Sequence, residues 1–156
     1  MAITGSGFLI PTFLDVFDAT ALNMLYLADT MKIALFSDTI TQDYGADTAY
    51  NVAPYDANEV SGGDWSAGGY TLATKTLAES KTGYMVWDAA DVSQTNTTLA
   101  SAMGGLIYDD TLAGKNGLVF VDFVTAVSTT AGTLQITWTA AASGGICNIK
   151  LDPAAA

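Results

Sequence analysis

Along the chain, hydrophobic and polar positions repeat with two different periods. In residues 12–18 the apolar side chains Phe13, Val16 and Phe17 fall at helical spacing, which predicts one short helix with Thr12 as its cap and Asp15 in its first turn. From residue 31 the period becomes two. Residues 31–36 alternate and stop at Ser37-Asp38, the mark of a strand. Further strands are predicted at 70–77, 84–87, 103–108, 118–124, 133–139 and 145–151. In 133–139, Leu134, Ile136 and Trp138 point one way and Thr133, Gln135 and Thr137 the other. Between the first two strands, residues 38–69 are polar and turn-rich, with the pairs Gly62-Gly63 and Gly68-Gly69. An excursion of that length is functional or hides short elements.

Seven or eight strands at roughly 10–15-residue spacing, with almost no helix, predict an all-β domain. The expected form is a β-sandwich or jelly-roll-like barrel with a short N-terminal helix and an extended N-terminal arm. No fixed-period repeat speaks for a propeller or solenoid. The expected organisation is an arm at 1–11, a single β-sandwich domain at 12–152 and a tail at 153–156. Gly5 and Gly7 in a polar, small-residue start predict a flexible arm, followed by an exposed apolar cluster, Phe8, Leu9 and Ile10.

Composition narrows the chemistry. Among 156 residues, 13% are charged and 50% hydrophobic. Soluble domains carry about 25% charged residues, so this surface suits either a partner-covered protein or a neutral β module. The net charge is −11, with no Arg and five dispersed lysines. Nucleic-acid binding requires clustered cations, and an anionic membrane repels such a chain; neither partner is expected. No stretch reaches the ~20 apolar residues of a membrane helix, and the N-terminus has no secretory signal pattern. The sequon Asn96-Thr97-Thr98 therefore has no secretory context.

With no His, the imidazole-dependent triads and His-ligated metals are excluded. Cys147 is the only cysteine; it reads as a small buried thiol in a chain that matures in a reducing cytoplasm. Of 16 carboxylates, many sit where turns use Asp, as at Asp88, Asp91, Asp109 and Asp110. A glycosidase pair would lack Arg or His to orient substrate. Loops 56–59 and 88–91 are weak candidates for Ca²⁺, without an EF-hand pattern. No phosphate-binding glycine loop and no nucleophile elbow is present. No cofactor is expected, and no enzymatic activity. Trp87 and Trp138 lie in alternating strands and read as core. Trp65, in a Gly-rich polar loop, is the candidate exposed aromatic, either an interface anchor or part of a carbohydrate platform.

Several motifs in order carry a resemblance: Asp29-Thr30-Met31-Lys32-Ile33-Ala34-Leu35, Asn58-Glu59-Val60-Ser61-Gly62, Ala67-Gly68-Gly69-Tyr70-Thr71-Leu72, Trp87-Asp88-Ala89-Ala90-Asp91-Val92, Leu106-Ile107-Tyr108-Asp109-Asp110, Val121-Asp122-Phe123 and Leu134-Gln135-Ile136-Thr137-Trp138. Over most of its length the chain resembles a family of small tailed-bacteriophage virion proteins. It departs from the family at Trp65, where Tyr is more usual, and in a longer, more apolar segment at 19–28. The resemblance implies capsid decoration. The partners would be the major capsid protein and sister copies in a homotrimer, and the location the outer face of a virion assembled in the host cytoplasm. Alternatives are a tail, neck or fibre component, or a carbohydrate-binding module. Phe8, Leu9, Ile10, Phe13 and Trp65 are the expected interface residues. Deleting residues 1–10 is expected to leave a folded protein that no longer adds to shells.

Overall fold

The computed structural model describes residues 3, 5–18, 22–24 and 26–150. It is an all-β sandwich of two antiparallel sheets with one short helix. The elements are β1 (Gly7–Phe8), α1 (Ile10–Phe17), β2 (Met31–Ser37), β3 (Glu59–Val60), β4 (Tyr70–Thr71), β5 (Thr76–Lys81), β6 (Tyr84–Asp88), β7 (Val92–Asp109), β8 (Gly117–Ile136) and β9 (Cys147–Lys150), with a 3₁₀ turn at Ala141–Ser143. The large sheet runs β1-β8-β7-β2-β3, and β4 also pairs with β2; the small sheet runs β5-β6-β9.

Its spine is the β7–β8 hairpin, 18 and 20 residues long. The strands expected at 103–108, 118–124 and 133–139 are stretches of these two longer ones, and the last stops at Ile136, leaving residues 137–139 outside any strand. The extension was hidden because residues 93–98 are polar or β-branched and bury one side chain at a time. The turn is closed by Asp109, whose Oδ1 accepts the Thr111 and Leu112 amides at 2.8 and 3.3 Å, an Asx arrangement. The strands slip register repeatedly: Ala102 pairs with Val127 and Gly104 with Asp122. Met103 alone thus stands opposite residues 123–126, which bulge from the sheet. At the bulge Val124 has φ 63°, a strained region for a β-branched side chain. The Asp122 carboxylate accepts its amide at 2.7 Å.

β2 departs from the expected one-sided alternation because both its faces are buried. Met31, Ile33 and Leu35 join one core cluster with Trp65, Leu72, Trp87, Leu118 and Leu134. Ala34 and Phe36 join a second with Leu106, Tyr108 and Phe120, roofed by Ile40, Tyr50 and Tyr55. Residues 38–58 therefore form a lid over the outer face of the sheet, which is the physical reason for the long excursion. Tyr50 stacks on Tyr108 with centroids 4.5 Å apart. The Tyr50 hydroxyl donates to Glu59 Oε2 (2.8 Å), Glu59 Oε1 accepts the Gly68 amide (2.7 Å), and the Tyr108 hydroxyl donates to the Gly68 carbonyl (2.8 Å). Gly69, at φ 75°, crosses β2 so closely that a Cβ would stand 1.9 Å from the Ile33 carbonyl oxygen; only glycine fits there.

Other boundaries also differ from expectation. The strand expected at 70–77 is two strands, β4 in the large sheet and β5 in the small one. Trp87 is core as expected; Trp138 is half-buried, its indole N–H donating to the Ala90 carbonyl at 3.1 Å. The start of the chain is not a loose arm. Ile3 is buried and its amide bonds to Asp38 Oδ1 at 2.9 Å. The Tyr44 hydroxyl donates to the Gly5 carbonyl, Ser6 Oγ accepts the Asp122 amide at 2.9 Å, and β1 pairs with β8. Residues 1, 2 and 4 of the arm, and the tail at 153–156, lie outside the described residues, as do positions 19–21 and 25 of the divergent segment 19–28 and the end of the strand expected at 145–151.

Candidate interaction surface

The helix explains itself from its first turn. Pro11 takes an early position, where its missing N–H is not needed. The cap residue is Leu9, with no side-chain cap, and the first turn has no acid. The expected roles of Thr12 and Asp15 thus fail: α1 begins two residues sooner than its pattern implied. Thr12 is instead buried within it, its hydroxyl 3.5 Å from the Thr48 carbonyl. The helix ends at Asp18, whose amide reaches the Leu14 carbonyl at 2.8 Å.

Successive helical residues turn by about 100°. On that wheel Val16, Phe13, Phe17, Ile10 and Leu14 span an arc of roughly 160°. Only its first part is covered: Phe13 and Val16 pack on the core. Ile10, Leu14 and Phe17 are 45%, 64% and 73% exposed. The apolar face is thus wider than the domain that carries it, and its uncovered half carries the three largest apolar side chains of the helix after Phe13.

Beside this stripe the two sheets leave a tight apolar cleft. Phe8 and Leu118 from the large sheet, Phe13 from α1, and Leu77, Trp87 and Ile149 from the small sheet line it. Phe8 and Phe13 meet edge-to-face, centroids 4.8 Å apart. Met85, 44% exposed, stands on the cleft wall. Leu27, 52% exposed, flanks a shallower depression that shares Tyr26 and Leu77 with the cleft. Phe17 lies one helical turn beyond Phe13, so stripe and cleft form one apolar region.

Set against this geometry, the five expected interface residues separate. Ile10 is exposed, and Phe8 and Phe13 are half-buried at the cleft. Leu9 is not exposed at all; its amide bonds to the Leu118 carbonyl at 3.0 Å and its side chain lies against Gly117. Trp65 is likewise 1% exposed and stacks on Tyr70 at 5.7 Å. Its Gly-rich loop looks solvent-facing in sequence but is pinned to β7: the Asp64 amide reaches the Asn96 carbonyl at 3.1 Å and the Thr98 amide the Gly62 carbonyl at 3.1 Å. Leu14, Met85 and Leu27 were missed, and Phe17, whose stripe with Phe13 and Val16 reads in sequence as core or as a fit to a partner's groove, is exposed. The signal for Leu14 and Phe17 was present, since IPTFLDVF offers more apolar positions than one core-facing stripe requires.

Several titratable groups are engaged in structure. Asp110 takes Lys32 and Lys115 at 2.7 and 2.8 Å, which together hold its carboxyl below the usual range despite burial. Asp29 and Asp109 are buried neighbours. Burial pushes the Asp109 carboxyl up to about 6, with the Asp29 carboxyl adding to the rise against two backbone amides. The Cys147 thiol, half-buried, is pushed up to about 12 by burial and Asp88, so at neutral pH it is a thiol and a poor nucleophile. Among the described residues no three His, Cys, Asp or Glu side chains gather as a metal cluster. Among them too, no helix is long and apolar enough to cross a membrane. Compared with known protein families, curated proteins and solved structures, the chain matches none.

Proposed function

We propose that the protein is a non-enzymatic assembly component that docks through the uncovered face of α1 and the cleft beside it. On the sequence resemblance, its place is the outer surface of a tailed-phage capsid, where it binds the major capsid protein and stabilises the shell. The carrying observation is the stripe Ile10–Leu14–Phe17, which stays exposed although Phe13 and Val16 already satisfy the domain's own core. A rigid two-sheet body suits such a role, because little ordering cost is added on docking. Homotrimer formation is part of the same reading, since closed symmetry is the usual way to repeat one contact around a local axis.

The deletion of residues 1–10 is not the right test, because Ile3 and Leu9 are buried and their loss would unfold the domain. The triple substitution Ile10→Ser, Leu14→Ser, Phe17→Ser changes the exposed stripe alone. Cosedimentation with shells stripped of this protein should fall at least about tenfold for the triple variant, with the circular dichroism spectrum unchanged. Full binding by a folded triple variant would defeat the reading. Copy number separates capsid decoration from a tail, neck or fibre role: hundreds per particle against a handful. The carbohydrate reading loses its platform with Trp65 in the core.

A further inference from the structure

We infer that the occupant of the α1 face is a protein surface with an apolar socket rimmed by Lys or Arg, and not a second copy of this chain; the inference rests on the docking role proposed above. Charge carries it. The exposed stripe is flanked by Asp15 on the solvent side and ends at the exposed cap residue Asp18. The last turn of α1 contains no basic residue, so nothing within the helix offsets the partial negative charge of its C-terminal carbonyls. The C-terminal end of the apolar face is therefore acidic through side chains and backbone together.

A sister chain would meet that end badly. Each copy carries a net charge of −11 and no Arg. Three of its five lysines are already held inside the fold: Lys32 and Lys115 on Asp110, and Lys75 on the Asp29 carbonyl at 2.8 Å. A sister copy laid on this face brings the same acidic net charge to it and no Arg. Like charges in such a setting oppose association. A partner with cations at one rim gains on three counts: contact with the Asp15 carboxylate, with the helix terminus, and with the long-range field of an acidic body that speeds encounter.

The test uses two synthetic amphipathic helices of equal hydrophobicity, one flanked by Lys and one by Glu, with binding to the intact protein read by fluorescence anisotropy. The Lys-flanked peptide should bind about tenfold or more tightly than the Glu-flanked one at low salt, and the preference should shrink as salt rises. Phe17→Ser should weaken both peptides, and Asp15→Lys should reduce the preference roughly two- to tenfold without changing the fold. Equal binding of the two peptides, or a preference untouched by Phe17→Ser and Asp15→Lys, would overturn the inference. So would self-association of the protein alone, seen by sedimentation velocity and abolished by Phe17→Ser, since that makes a sister chain the occupant. Stripped shells that ignore the wild-type protein while the peptide preference holds would defeat the capsid role and leave the chemistry of the face standing.

Discussion

Leu9 and Leu14 sit five positions apart, yet the same substitution should have opposite consequences. Leu9 is 0% exposed and Leu14 is 64% exposed. Replacing Leu9 by Ala removes buried methyl groups and leaves a void beside Gly117, where a Cβ would stand 2.5 Å from Leu9 Cδ2. That contact is so close that the strand backbone cannot collapse into the space without moving β8. Transfer and cavity terms together come to about 3–4 kcal/mol. For Leu14 only about a third of the side chain leaves water on folding, which scales a full Leu burial down to about 0.5–1 kcal/mol; helix propensity barely changes. Urea unfolding followed by tryptophan fluorescence reads both. With a slope of about 2 kcal/mol/M, the Leu9→Ala midpoint should drop by roughly 1.5–2 M and the Leu14→Ala midpoint by less than about 0.5 M. Similar shifts for both, or a larger one for Leu14→Ala, would refute the division of this segment into anchor and free face.

Asp109 and Gly69 give two further expectations. Because the folded state holds the Asp109 proton more tightly than the unfolded chain, its contribution to stability is full below pH ~4 and is lost as pH rises through about 6. Asp109→Asn should therefore flatten the pH dependence, gaining on wild type as pH rises from 4 to 7; parallel stability curves across that window would exclude it. Gly69→Ala should cost at least about 2 kcal/mol, because the added methyl meets the Ile33 carbonyl and the φ is left-handed. A thermal midpoint within about 2 °C of wild type would contradict the close crossing.

The sheet content was legible because the period-two runs at 31–36, 84–87 and 133–139 lie where apolar side chains alternate. The length of β7 and β8 was not, since residues 93–98 and 123–133 lie within strands that bury almost no side chains there and slip register many times. The two-faced burial of β2 also escaped, because what covers its outer face is a lid of tyrosines from a polar segment, and polar composition reads as solvent. The same cause misplaced Trp65. A Gly-rich loop is expected outside, but Gly63 at φ 63° lets its backbone lie against Asn96 and turns the indole inward. Leu9 and Ile10 formed one cluster in sequence; pairing of β1 with β8 divided them. For the interaction surface, composition left a partner-covered protein and a neutral β module level, and the face itself depended on which side of an almost wholly apolar helix the sandwich covers.

The bulge at residues 123–126 bears on how the open edge of β8 meets other chains. The N-terminal segment covers the outer edge of β8 as far as Asp122, through β1 at Val119 and Phe120, Leu9 at Leu118 and Ser6 at Asp122; beyond it, no strand among the described residues pairs with that edge. The outward kink at Val124, with the slips that follow it, breaks the straight run of amides and carbonyls that a foreign strand would need. A foreign strand thus finds this edge interrupted, at the cost of one strained valine.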